Sequence, residues 1–420
     1  MSKPNTPTCA AAAIVTQNAP QVLKRSITLP MLVLYGLGVT VGAGIYVLIG
    51  AAAARAGPHA PIAFLLAGIV MALTAASFAE LAGRMPVSAG EAAYVRAGFG
   101  SERASLVTGL LVLAAGIISA AAISRGAAGY IGVFVTAQPT IIIAAVVLVM
   151  GSIAAWGITE AVALAAIMTL IELSGLVVVI VAGLWHDPAI LTRSPEAWSG
   201  LSDASAWSGV FGATLLAFFA FIGFEGMVNV AEEVVEPERT IPRAIALTLL
   251  ISTALYILVV WIAIYSVPRN ELAESSAPLS LVFQHVTGAS PAIISLIAVF
   301  ATINGIIAQM VMSSRVIYGL ARQGTFPAAL ATVSPITQTP LIATAIVVAL
   351  VLVLAVAVPI ERLAELTTRV MLVIFGLVNA ALVLIKWRGE PANGAVDLPI
   401  AVPVAGCASC IALLVADSLR

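Results

Sequence analysis

Charge is what this 420-residue chain has least of: 9% of its residues are Asp, Glu, Lys or Arg, against about 25% in a typical soluble domain. So little polar surface cannot cover the 61% of residues that are apolar, which excludes a single soluble globule. The formal net charge is −1, so no basic field gathers phosphates, and a nucleic-acid binder is excluded. Three cysteines, at positions 9, 407 and 410, are too few for a disulfide framework. Cys407 and Cys410 are spaced like half a metal site, but they lie in an apolar run without a second pair or a nearby histidine, so no metal is expected. His59, His186 and His285 show no metal-ligand spacing. No Lys-Ser/Thr follows a glycine-rich stretch, so no phosphate loop is present and no cofactor is expected.

What the chain has instead is long apolar runs, with a mean hydropathy of +1.11. A helix needs about 20 apolar residues to cross a hydrocarbon core about 30 Å thick. Eleven segments qualify: about 29–52, 61–83, 102–132, 138–157, 161–184, 208–231, 241–266, 288–318, 340–359, 363–386 and 398–416. A transmembrane barrel would alternate, whereas runs such as Ile141–Met150 are continuous. The fold expected is all-α integral membrane. Residues 1–28 carry no compact apolar segment with a cleavage site and read as a cytoplasmic N-terminal tail; 29–420 read as one polytopic membrane domain. With the N-terminus inside, twelve Lys and Arg fall on the cytoplasmic side and five outside, which predicts that orientation and an external C-terminus.

Two spans are rich in glycine near their middle. In the first, Gly36, Gly38, Gly42 and Gly44 surround Thr40, Val41, Ala43 and Ile45; in the sixth, Gly223 and Gly226 bracket Glu225. Each glycine costs a helix about 1 kcal/mol relative to alanine. Close glycine-mediated packing would explain the first span alone. Two interrupted spans five helices apart instead fit two inverted repeats, about 29–184 and 208–386, with a site between them and an extra helix at about 398–416. Half-helix N-termini offer N–H groups to an anion, and unwound carbonyls face a cation. A zwitterionic amino acid carries both charges on neighbouring atoms. Glu172 and Glu225 lie well inside spans, where a carboxylate must be paired, protonated or in contact with water.

These features resemble the amino acid–polyamine–organocation (APC) superfamily of transporters. The resemblance rests on Gly42-Ala43-Gly44-Ile45-Tyr46, on Phe78-Ala79-Glu80-Leu81 followed by Pro86 and Gly90-Glu91-Ala92-Ala93-Tyr94, and on Phe219-Ala220-Phe221-Ile222-Gly223-Phe224-Glu225. The last continues into Ala231-Glu232-Glu233 and Pro237-Glu238-Arg239-Thr240-Ile241-Pro242-Arg243-Ala244-Ile245. Ser314-Arg315, Tyr318, Ala321-Arg322-Gln323-Gly324 and Pro327 add to it, and Glu91 departs from the pattern by replacing a glycine. The resemblance covers about 25–390.

It implies a LeuT-like 5+5 inverted-repeat fold with helices 1 and 6 discontinuous, working by alternating access in the cytoplasmic (inner) membrane. The substrate, an amino acid or related amine, is expected among Thr40, Val41, Gly42, Ala43, Gly44, Ile45, Phe219, Ala220, Phe221, Ile222, Gly223 and Glu225. Its carboxylate would meet the N–H groups of Ala43 and Gly44, and its amine the carbonyls near Thr40, Phe219, Ala220 and Ile222. Phe219 aligns with a gating aromatic, with core packing the plain alternative. Glu225 reads as binding a cationic side chain, carrying a proton or bracing the broken helix. Glu172 stands where some proton-coupled relatives have a lysine; coupling and a salt bridge to Arg125 or Arg369 are both open. Thr302 and Asn304 are further coupling candidates. Glu80, Glu232, Glu233, Arg239 and Arg243 form a candidate inner gate, or are solvated helix ends. A proton symporter or an exchanger is the expected class, with Na⁺ the other coupling ion and a polyamine or basic amino-acid antiporter the alternative. An enzyme would want an intramembrane nucleophile–base or metal cluster, and a channel a repeated filter or charged ring; neither pattern is present. Oligomeric state is not indicated.

Overall fold

The structure is a computed structural model describing residues 25–85, 90–156, 162–199, 202–392 and 396–418. Cys9, Pro86 and all but the last four residues of the expected tail lie outside that set. The first span is two helices, α1 (Leu29–Val41) and α2 (Ala43–Ala56). Then come α3 (Ala60–Arg84), α4 (Gly90–Phe99), α5 (Glu102–Ile131), α6 (Pro139–Trp156), α7 (Val162–His186) and the short α8 (Ser194–Trp198). The sixth span is α9 (Ala204–Phe221) followed by a 3-10 helix, Phe224–Glu233. The rest is α10 (Pro237–Ser266), α11 (Arg269–Glu274), α12 (Pro278–Thr287), α13 (Ala292–Arg322), α14 (Leu341–Ala357), α15 (Ile360–Trp387) and α16 (Ala401–Ser418). Each of the eleven apolar segments is helical. The stretches expected as loops hold more order than the sequence suggested: α4 links α3 to α5, and α11 and α12 fill most of the connection after α10.

Helix ends follow local chemistry. Proline stands in the first turn of α3, α10 and α12, where its missing N–H costs nothing. The Ser101 hydroxyl caps α5 by accepting the Ala104 N–H at 3.3 Å. Among the described residues the only β pairing is a single bridge, Ile27 with Val234, which ties the segment before α1 to the end of the sixth span.

The outer surface is apolar: Ile141, Leu148 and Val149 of α6, Val181 of α7 and Val353 of α14 are all exposed. Large contiguous apolar exteriors mark membrane contact, and helices leave no backbone group unpaired against lipid. Inside, one core cluster gathers α1, α2, α3, α9 and α10 around Phe218, Phe221 and Tyr256. A second gathers α5, α6, α13 and α14 around Val147, Ile306 and Val347. α16 docks on the side of α3 and α15: Asn379 of α15 donates to Thr74 Oγ1 at 3.0 Å and accepts from Ser77 Oγ at 2.7 Å, and a side chain on Gly406 of α16 would collide with it.

Candidate functional site

The two broken spans meet at their breaks. In the first, only Gly42 leaves the helix, so the interruption is narrower than the six-residue stretch expected: Thr40 and Val41 end α1, and Ala43 to Ile45 begin α2. The last carbonyls of α1 and the first N–H groups of α2 therefore lie next to each other without their usual intrahelical partners. In the sixth, α9 stops at Phe221 and Gly223 adopts φ 135°, a conformation only glycine tolerates. A side chain on Gly223 would also run into the carbonyl of Val39 on α1. A methyl on Gly44 would stand 2.5 Å from the Ala220 Cα. Glycine is thus required here because two backbones touch.

Three tyrosines fasten this junction. The Tyr256 hydroxyl of α10 lies 2.8 Å from both the Thr40 carbonyl of α1 and the Ala220 carbonyl of α9, and donates its one proton across the pair. Its ring packs edge-on against Phe221, with centroids 4.9 Å apart, and against Phe64 at 6.1 Å. Tyr46 of α2 donates to the Glu172 carbonyl of α7 at 2.6 Å, and Tyr130 of α5 donates to the Tyr46 carbonyl. All three tyrosines are fully buried.

The predicted site residues distribute around this point. Val41, Ile45, Ala220 and Phe221 are buried in the core. Ile222 is half-buried. Phe219 lines a narrow apolar crevice with Val47, Leu48, Ala122, Ile123 and Ile360. Glu225 turns back on its own break: Oε2 accepts the Gly223 N–H at 2.8 Å. Glu172 is fully buried, with Thr169 on its own helix facing Gly38 and Gly175 facing the Tyr46 hydroxyl, so α7 presents it to the first break. The arginines considered as its partners are engaged elsewhere. Arg125 donates to the Ala355 carbonyl at 2.6 Å, and Arg369 pairs with Asp417 at 2.5 Å. The Thr302 hydroxyl closes onto the carbonyls of Ala298 and Val299 in its own helix. Asn304, two residues on, projects from the other side of α13, because residues i and i+2 do not share a helix face.

Charge gathers at the two ends of the bundle. At the end where α1 begins, Glu80 is fully buried and pairs with Arg84 at 2.7 Å and Lys386 at 2.6 Å. Asp397 completes the cluster, 2.6 Å from Lys386 and 3.2 Å from Arg84, and its hydrogen bond from Lys386 holds its carboxyl below the usual range. The other four inner-gate candidates lie on the exit of the sixth span and the start of α10. Arg239 lies 3.9 Å from Glu236 at the surface, Arg243 and Glu232 flank it on α10 and the 3-10 helix, and Glu233 contributes its carbonyl to the N–H groups of Ser26 and Ile27. At the opposite end Arg55 of α2 pairs with Glu365 of α15 at 2.5 Å, and Arg369 reaches Glu365 at 3.7 Å. There too Arg269 donates to the Ala53 and Ala54 carbonyls, capping α2 beside a cavity of about 220 Å³. Sequence reasoning missed Tyr256, Tyr46 and the partners Lys386, Asp397, Arg55 and Glu365. The run Arg362, Glu365, Arg369, spaced for one helix face in an apolar segment, was the available signal for the last. Among the described residues no group of three His, Cys, Asp or Glu could hold a metal.

The amino acid permease family profile matches residues 27–416, which takes in both breaks and most of α16. The chain belongs to the amino acid permease family. Permeases of this family are carriers within the APC superfamily, and the observed pairing of two broken spans agrees with that membership. Among its relatives, the branched-chain amino acid permease BcaP of Bacillus subtilis is 29% identical over 94% of this chain and 86% of its own length. The vacuolar cationic amino acid transporter 4 of Arabidopsis thaliana is 30% identical over 89% of this chain, which spans 65% of the plant protein. An uncharacterised transporter of Mycobacterium tuberculosis is 31% identical over 95% of this chain and 91% of its own length.

Proposed function

We propose that this permease carries a neutral amino acid with an aliphatic side chain across the cytoplasmic membrane by alternating access, with its N-terminus in the cytoplasm and proton movement as the driving force. The carrying observation is the junction of the two breaks. The N–H groups of Ala43 and Gly44 head α2, where the helix dipole favours a carboxylate. The carbonyls that end α1 and α9 face the same junction and suit an ammonium group. The aliphatic reading is supported by the name of the Bacillus subtilis relative, a branched-chain amino acid permease, and by the apolar side chains around Phe219 beside the sixth break. Tyr256 holds the Thr40 and Ala220 carbonyls together, so substrate binding and rearrangement of the breaks are one event.

The ion-paired clusters at the two ends supply the gates of this cycle. Arg55–Glu365 joins α2 to α15 on the external side, and Glu80–Lys386 joins α3 to α15 on the cytoplasmic side. Glu172 is the coupling group: it is a buried carboxylate on α7 beside the first break, able to take up and release a proton there. A cationic substrate is the second reading. It is favoured by the carboxylate of Glu225 at the sixth break and by the plant relative's name.

Purified protein in proteoliposomes tests the proposal. Saturable uptake of radiolabelled leucine, accelerated by internal leucine and by an inward proton gradient, is expected. Arginine uptake without leucine uptake would replace the aliphatic reading by the cationic one. A sodium gradient that drives uptake where a proton gradient fails would remove the coupling assignment. Single-channel currents would remove the carrier reading.

A further inference from the structure

A row of hydroxyls runs along the seam between α1 and α10. Thr248, Ser252 and Tyr256 are spaced four residues apart on one face of α10. Gly36 and Thr40 hold the same spacing on the facing side of α1. A side chain on Gly36 would meet Met227 Sδ and, at 2.7 Å, Thr248 Oγ1, and one turn further along α1 the Thr40 carbonyl meets the hydroxyl that Tyr256 extends to it. Thr248 and Ser252 are fully buried, and Thr40 is nearly so. The side-chain oxygens of Thr40, Thr248 and Ser252 have no hydrogen-bond partner. Several buried helical hydroxyls close onto the carbonyl four residues back, as Thr108, Ser124, Thr214 and Thr367 do, whereas Ser313 of α13 is unpaired like the hydroxyls of the row. Thr248 and Ser252 forgo that local bond, so their hydroxyls are aimed into the seam. Buried unpaired polar atoms are costly, and each calls for an explanation.

The spacing supplies one. Four residues rise about 6 Å along a helix, which is two hydrogen bonds of about 2.8 Å placed end to end. One water between successive hydroxyls therefore completes a continuous chain, and each water finds the two or more polar partners it needs. A row is the wrong shape for a metal cation, which wants its oxygens converging on one point. The upper end of the row is Tyr256, beside both breaks. Glu172 stands on the helix beside this point: its carbonyl accepts the Tyr46 hydroxyl at 2.6 Å, and Thr169 of the same helix faces Gly38 of α1. Glu225, on the 3-10 helix packed against α10, is the other carboxylate near the breaks, and its Oε2 is engaged by the Gly223 N–H at 2.8 Å. The remaining charged groups named on the helices around α7 and α10 are placed elsewhere. His285 of α12 pairs with Glu271, Arg315 of α13 is exposed, and Arg239 and Arg243 sit in the first two turns of α10.

We propose that Thr248, Ser252 and Thr40 line a water-bridged path that carries the coupled proton along the α1–α10 seam to Glu172, with Tyr256 as its last station. The proposal rests on the reading of Glu172 as the coupling group. Protons hop from water to hydroxyl to water, each oxygen accepting one and passing on another, so no hydroxyl changes its charge over the cycle.

The test uses full-length protein in proteoliposomes loaded with a pH-sensitive dye. A mixture of the twenty standard amino acids is added outside, and internal pH and counterflow of labelled amino acids are followed together. The double variant Thr248→Val with Ser252→Ala keeps shape and removes the hydroxyls. It is expected to cut amino-acid-driven proton flux at least tenfold while counterflow stays within about twofold. Thr248→Ser with Ser252→Thr keeps the hydroxyls and should keep the flux. Unchanged flux in the first variant overturns the path. So does an equal fall of flux and counterflow in protein that melts normally, which would assign the hydroxyls to packing. Proton flux that survives Glu172→Gln overturns the coupling reading and the path with it; flux lost in Glu172→Gln but kept in the double variant overturns the path alone.

Discussion

In the first span the helical path is interrupted at one residue, Gly42, with α-helix on either side; in the sixth it is lost at Ile222 and Gly223 and resumes as a 3-10 helix through Glu233. The difference follows from what each break has to offer. The first places a full α-helical N-terminus, with its aligned dipole, at the junction. The sixth places the C-terminal end of α9 there, and its exit is braced by a side chain, since Glu225 accepts the Gly223 N–H. One break is a donor surface and needs no support beyond the helix that follows it. The other is an acceptor surface whose departing chain has poorer hydrogen bonding and needs a carboxylate to hold it.

The sharpest way to break this comparison is Gly223→Ala. A φ of 135° and the Val39 carbonyl leave no room for a methyl group, and strain of this kind costs about 1–3 kcal/mol before the clash is counted. Transport is expected to fall to background. Gly226→Ala, whose methyl would meet nothing nearer than 3.9 Å, should leave uptake unchanged; equal losses in the two would show that the sixth break tolerates no change at all. Next in size is Tyr256→Phe. It removes the one hydroxyl shared by the two breaks and leaves two buried carbonyls without it, a cost of about 1–3 kcal/mol. A lowered melting temperature and an approximately tenfold fall in uptake are expected; a variant that melts and transports normally would uncouple the breaks.

Glu225→Gln should do less. The amide oxygen can still accept the Gly223 N–H, so bracing survives while charge is lost. Leucine uptake is expected to stay within about threefold, and any arginine uptake to fall at least tenfold. A large loss of leucine uptake would mean that the charge itself is needed.

The smallest effect concerns Glu91, in the connecting helix α4. Burial raises its carboxyl from 4.5 to about 6. The folded chain therefore holds this proton more tightly than the unfolded chain, and stability from this group falls as pH rises from about 4.5 to 6. A pH series of melting temperatures should show that decline, and Glu91→Gln should flatten it. A decline that persists in the variant belongs to another group.

The spans, the two glycine-rich interruptions and the buried carboxylates were legible in the sequence because lipid enforces local rules. A span must be long and apolar, a break must carry glycine, and an intramembrane charge is rare enough to notice. Glu80 was also legible as a charge at a span exit, through the motif in which it stands. Its partners were not: Lys386 and Asp397 lie at the far end of the chain and look like ordinary charges flanking a span. Tyr256 and Tyr46 were invisible for a different reason. A tyrosine in an apolar run satisfies the same pattern as phenylalanine, and only its neighbours reveal where the hydroxyl goes.

The sequence by itself determined that this chain lives in a bilayer, roughly where it crosses, and that its first and sixth crossings are interrupted. Those properties depend on hydropathy and backbone propensity, which act over a few neighbouring residues. Only the tertiary structure decided how wide each break is, which carbonyls the tyrosines hold, and which of many charges pair at each end. These depend on residues distant in the chain meeting in space, and one-dimensional order carries no record of distance between them.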